Sequence, residues 1–108
     1  MLNVYYDMLD VVRALGPVIE RVKARSKDLA NQTERAAHSV VLNLGEGSGN
    51  QGARRRNHYD IALGSARETW CCLDVAEAAG YVDAVAPEIR ARLRKVINVT
   101  LANTHRPR

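Results

Sequence analysis

Apolar residues recur along this chain at alternating spacings of three and four, the repeat of one helix face. No stretch of useful length alternates with period two, so no sheet is expected. Four such segments are separated by turn residues. The first, residues 2–25, carries Met8, Val12, Leu15, Ile19 and Val22 on one face. Gly16-Pro17 interrupts it, and Pro17 lacks a donor and crowds the preceding turn, which predicts a kink or short break near 16–17. The second segment, 26–46, has Leu29, Ala36, Val40 and Leu44 as its stripe and is expected to stop in the run Gly45, Gly47, Gly49, Gly52. The third, 53–79, is seamed by Tyr59, Ala62, Ala66, Leu73 and Ala76, with Ile61 and Trp70 beside the seam and Gly80 as its stop. The fourth, 84–103, follows Asp83 as N-cap, admits Pro87 in its first turn, and runs through Val85, Ile89, Leu93, Val96 or Ile97, and Leu101. Residues 104–108 read as a frayed tail.

Long helices joined by short connections pack as sequence neighbours running in opposite directions. The expected fold is therefore all-α, an antiparallel up-down-up-down four-helix bundle forming a single domain over residues 1–108. Adjacent apolar pairs (Tyr5-Tyr6, Val11-Val12, Val40-Val41, Val96-Ile97) widen the stripes beyond one core-facing row and predict self-association.

Composition narrows the class of function more than it names one. The 108 residues hold no Phe, and their two cysteines, Cys71 and Cys72, are adjacent, about 100° apart on a helix. That arrangement supplies no disulfide framework and lets at most one thiol sit deep in the core. Asp7 and Asp10 fall where a secretory leader needs apolar residues, and no apolar run reaches the length of a membrane span, so a cytoplasmic setting is expected. Neither chemistry-bearing cluster survives inspection. His38 is the immediate neighbour of Ser39 and points elsewhere, so no nucleophile and base are paired. Glu34 and His38 stand alone, without the Glu-x-x-His pairs on facing helices that carboxylate-bridged metals require, and His58 and His105 have no spaced partners. The glycine run at 45–52 precedes a helix but lacks both a preceding strand and a Gly-Lys-Ser/Thr. No enzymatic activity, metal or cofactor is expected.

One order of residues is more specific than composition. Leu29, Gln32 and Arg35-Ala36-Ala37 lead to Ser39, Asn43 and Glu46-Gly47. After Arg54-Arg55-Arg56 come Tyr59, Ile61-Ala62, Gly64-Ser65 and Glu68. This stretch, Leu29 to Tyr81, resembles the four-helix-bundle proteins first noticed as products of intervening sequences in 23S ribosomal RNA genes. It departs from their pattern at Leu44-Gly45, where Ile-Ala is usual, and at the Gly-Pro interruption of the first helix. The resemblance implies a homo-oligomer, often a pentameric ring. Through a relative, the accessory protein of diversity-generating retroelements, it implies nucleic acid and a reverse transcriptase as partners.

In an antiparallel hairpin turning near Gly52, facing residues have numbers of nearly constant sum. Setting Ser39 against Gly64 puts Asn43 opposite Asp60 and Arg35 opposite Glu68, placing the last pair for a charge-assisted hydrogen bond. Gly64 is then expected to let the two helices approach. Arg35, Ser39, Asn43, Glu46, Gly47, Gly64, Ser65 and Glu68 are accordingly read as a structural motif that sets helix register.

The formal net charge is +4. What makes it informative is its placement: Arg54, Arg55 and Arg56 occupy the first turn of a helix, where the macrodipole opposes cations. The bundle topology puts His105, Arg106 and Arg108 at the same end. Arginines around free helix-start amides suit phosphate, and the scarcity of aromatics among them predicts contact with an RNA or DNA backbone rather than base stacking. The function expected is a nucleic-acid-binding accessory protein. The alternative is a protein-interaction scaffold whose basic end is a solvated face.

Overall fold

The computed structural model describes residues 2–104, which form four α-helices: α1 Val4–Lys23, α2 Lys27–Ser48, α3 Gly52–Ala78 and α4 Pro87–Thr104. There are no strands among the described residues. Each helix contacts the next, and α1 closes the ring against α4. The direction of each helix follows from its paired side chains. Asp7 meets Lys95 while Asp10, one turn on, meets Arg92, one turn back. Ser39 bonds Ser65 and Asn43 bonds His58, and Trp70 stacks with Arg94 where Glu77 pairs with Arg90. The Tyr5 ring lies beside Gly45, while the far ends of α1 and α2 meet at Val22 and Ala30. In every case one number rises as the other falls, so neighbouring helices are antiparallel.

The stripes read from periodicity form the core. Met8, Leu15, Val40, Leu44, Ala62, Ala66, Leu73, Leu93 and Val96 are buried together along the bundle axis. Val22, Ala30 and Ala76 close a smaller cluster at the end where α1 turns into α2. Alanines on α2 and α3 leave room for close approach, and these two helices share the most extensive contact in the bundle.

Several helix limits differ from the expected ones. Helix α1 runs through Gly16-Pro17 without a break. Both residues are exposed, so the ring faces solvent. Helix α2 continues past Gly45 and Gly47 to Ser48, because Gly47 is buried as a packing residue instead of serving as a stop. Helix α4 begins at Pro87, not at residue 84, and Asp83 lies outside it. A proline disfavours helical geometry in the residue before it, and the carbonyl of Ala86 accepts the first helical bonds from Ile89 and Arg90. The Gly80 stop is where expected, and α2 has a cap that was not read from the sequence. Ser26 caps α2 by accepting from the amide of Leu29 at 3.1 Å. Gly80 takes φ +74° just beyond α3, with the Tyr81 amide bonded back to Ala76.

Candidate nucleic-acid interface

The α2–α3 turn is built by an arginine. Arg55 donates its Nε to the carbonyls of Asn50 (2.8 Å) and Gly47 (3.2 Å), the latter already accepting from the Asn50 amide, and so closes the turn after α2. One of the three arginines expected to meet phosphate is thus held by its own turn. Successive positions on a helix diverge by about 100°, so Arg54 and Arg56 flank Arg55 on opposite sides. Arg54 is exposed, Arg56 is partly so, and neither has a hydrogen-bond or ion-pair partner among the described residues. Glu46, the acid that could have neutralised them across the turn, is exposed and makes no ion pair with them. Its carbonyl accepts from Asn50 instead. Because α3 and α4 are antiparallel, Thr104 at the end of α4 sits at the same end of the bundle. His105, Arg106 and Arg108 lie outside the described residues.

Below this turn the motif residues make a polar network between α2 and α3. The Ser39 and Ser65 hydroxyls are 2.8 Å apart. Asn43 Nδ2 donates to the Ser39 carbonyl (2.9 Å) and hydroxyl (3.2 Å), which leaves Asn43 Oδ1 to accept from His58 Nδ1 at 3.0 Å. Neutral His58 therefore carries its proton on Nδ1. Asn43 stands between this imidazole and Ser39, so the ring cannot take a proton from either hydroxyl. A Cβ on Gly47 would run into the Tyr59 ring and lie 3.3 Å from His58 Cβ.

The expected facing pairs need correcting. Ser39 faces Ser65, not Gly64, and Asn43 faces His58, not Asp60. Gly64 is a further 100° round the helix from Ser65; it is exposed, and nothing lies within 4 Å of where its Cβ would be. The glycine that permits close approach is Gly47. Arg35 and Glu68 are likewise turned outward, both exposed, and no bond joins them within the chain. The antiparallel sum rule fixes the level of each residue along the axis and says nothing about its rotation.

A model of the 23S rRNA-intervening sequence protein family matches residues 1–101. The chain belongs to that family. No curated protein and no solved structure gives a match. In this intervening-sequence family member, Ser39, Asn43, Ser65 and Gly47 of the motif lie in the α2–α3 contact, with Arg35, Glu46, Gly64 and Glu68 on its outer surface.

Sequence reasoning missed a second charged system. Arg90 is clamped by Glu77 at 2.9 Å and Asp74 at 3.0 Å and lies over the Trp70 ring, 4.5 Å from its centroid. Arg94 lies over the same ring at 5.3 Å without a carboxylate partner among the described residues. On the opposite edge of α4, Arg92 and Lys95 pair with Asp10 and Asp7. The spacing of Arg90, Arg94, Ile97 and Leu101 beside the Leu93 stripe was the available signal. Glu77 also accepts from the Val85 amide at 2.7 Å, which holds its carboxyl below the usual range, with the nearby Arg90 adding to the effect. Burial pushes the Cys72 thiol up, whereas Cys71 is exposed. Among the described residues, no group of three His, Cys, Asp or Glu side chains is placed to hold a metal, and no helix is long and apolar enough to cross a membrane.

Proposed function

We propose that this family member is a non-enzymatic, self-associating accessory protein that holds nucleic-acid backbone at its α2–α3 end. The observation that carries the reading is the pair of arginines at the start of α3, Arg54 and Arg56, which have no partner among the described residues. Stability alone would place acids in that turn. Cations kept there beside helix-start amides suit an anion brought from outside, and phosphate matches both donors. The aromatic nearest the turn, Tyr59, is buried beneath Gly47 and offers no face for a base. Contact is therefore with backbone and shape, without sequence reading.

Self-association is supported by the apolar side chains left outside the core. Tyr6 is 59% exposed, Leu42 67%, Ile61 43% and Val75 50%. The second members of the pairs Val11-Val12, Val40-Val41 and Val96-Ile97 are each half-buried on the flank of a buried partner. The same surface favours a second reading, a scaffold for another protein, a reverse transcriptase being the partner the family suggests.

Binding of a structured RNA and of a DNA duplex across a salt series separates these readings. Wild type is expected to bind both, weakening steeply with salt. Arg54→Ala/Arg56→Ala, which leaves the Arg55 cap in place, is expected to flatten the duplex slope of log affinity against log salt by about 2, the two lost phosphate contacts. Absence of binding at low salt, or identical slopes, overturns the nucleic-acid reading and leaves the scaffold.

A further inference from the structure

Two apolar grooves lie on opposite sides of the bundle, and their charged borders have opposite sign. The groove between α3 and α4 is floored by Trp70, Cys71 and Ile97 and bordered by Arg67 and Arg94. Both arginines are exposed, and neither has a carboxylate partner among the described residues. The groove between α1 and α2 is lined by Leu9, Val12, Val41 and Leu42, with His38 at its edge. It continues past Val12 and His38 to Glu20 and Glu34. These two acids are exposed and, again among the described residues, unpaired. The cyclic order of helix contacts places the two grooves back to back across the core.

A third observation falls on the same flank. Gly64 stands one turn before Arg67 and two before Cys71 on the ridge of α3. Glycine inside a helix weakens it relative to alanine, and no described residue lies within 4 Å of where this one's Cβ would be. Its ridge is open to a close approach from outside.

Neither groove is complementary to itself. A two-fold contact through the α3/α4 groove would oppose arginine to arginine, and one through the α1/α2 groove glutamate to glutamate. Each groove does complement the other, apolar floor to apolar floor and cation to carboxylate. We infer that the α3/α4 groove of one copy receives the α1/α2 face of the next, with Arg67 and Arg94 set against Glu20 and Glu34. Such a contact is heterologous, so it builds a ring or a filament in place of a two-fold dimer. This inference rests on the self-association proposed above and assigns its surfaces.

Charge exchange tests it by light scattering on the full chain after gel filtration, with helicity checked by circular dichroism. Wild type at high micromolar concentration is expected to exceed the mass of a dimer. Arg67→Glu/Arg94→Glu has two acidic grooves and Glu20→Arg/Glu34→Arg two basic ones, so each alone is expected to be monomeric. In an equimolar mixture the contact is complementary wherever the two variants alternate, so heteromers that hold both variants are expected above the monomer mass, and a closed ring of the mixture has an even number of copies. A monomeric wild type overturns this inference and the self-association reading together. If wild type assembles and the variants assemble equally well, or if the monomeric variants form no heteromer on mixing, the groove assignment falls while self-association stands. Should either exchange reduce helicity, Arg67→Gln/Arg94→Gln and Glu20→Gln/Glu34→Gln carry the test. Each is expected to weaken assembly about tenfold, and an unchanged dissociation constant overturns the assignment.

Discussion

The Tyr59 ring occupies the place where a side chain on Gly47 would have to go. Tyr59 is only 4% exposed and is packed in the core cluster. Gly64, also inside a helix, has nothing within 4 Å of its missing Cβ. Two glycines of the same motif thus predict opposite signs. Gly47→Ala is expected to lose about 1–2 kcal/mol, since overpacking outweighs the gain in helix propensity. Gly64→Ala, measured at dilutions where the chain is monomeric, is expected to gain about 0.5–1 kcal/mol. Urea unfolding of both variants checks the contrast, and equal effects would contradict the packing described.

The hydroxyls of Ser39 and Ser65 are bonded across the α2–α3 interface in a network closed by Asn43 and His58. A double-mutant cycle of Ser39→Ala and Ser65→Ala is expected to show a coupling of about 0.5–1.5 kcal/mol, the net worth of one such bond. The corresponding cycle of Arg35→Ala and Glu68→Ala is expected to show none within the monomer, because those side chains do not meet.

Thr100 is fully buried, and its hydroxyl has no hydrogen-bond partner among the described residues. Removing an unsatisfied polar group without changing shape removes its desolvation cost. Thr100→Val is expected to raise unfolding stability by about 1 kcal/mol in denaturant melts. A loss of stability would mean that the hydroxyl is satisfied in solution.

Glu77 ties the α3–α4 connection to both the Val85 amide and Arg90. Its carboxyl is held below its ordinary value of 4.5 in the folded chain. The unfolded state therefore takes up a proton first as pH falls. The stability Glu77 contributes is complete above that ordinary value and is lost as pH drops through the folded one. The stability difference between wild type and Glu77→Gln is expected to be flat at neutral pH and to shrink below about pH 4.5. A difference that grows on acidification would reverse the assignment.

Much of the polar motif was legible as a set, and its members do gather along α2 and α3. Their partners were not legible. A sum of residue numbers locates a residue along the helix axis, but neighbours such as Gly64 and Ser65 at almost one level differ by about 100° in direction. That rotation decides between a hydroxyl in the interface and a glycine on the surface. The arginine triplet divided for a similar reason. Local sequence shows three cations, while the return of the chain puts two carbonyls in front of the middle one.

What the sequence determined by itself was local or periodic. Four amphipathic segments and the Gly80 stop follow from side-chain preferences acting within a turn or two, and the buried stripes follow from helix period. Only the tertiary structure decided how each helix is rotated against its neighbours. From that rotation came the Ser39–Ser65 contact, the Tyr59 ring over Gly47, the clamp on Arg90, and two oppositely charged grooves on opposite sides of the bundle. Those relations join residues far apart in the chain, and their energies depend on distances that no local pattern encodes.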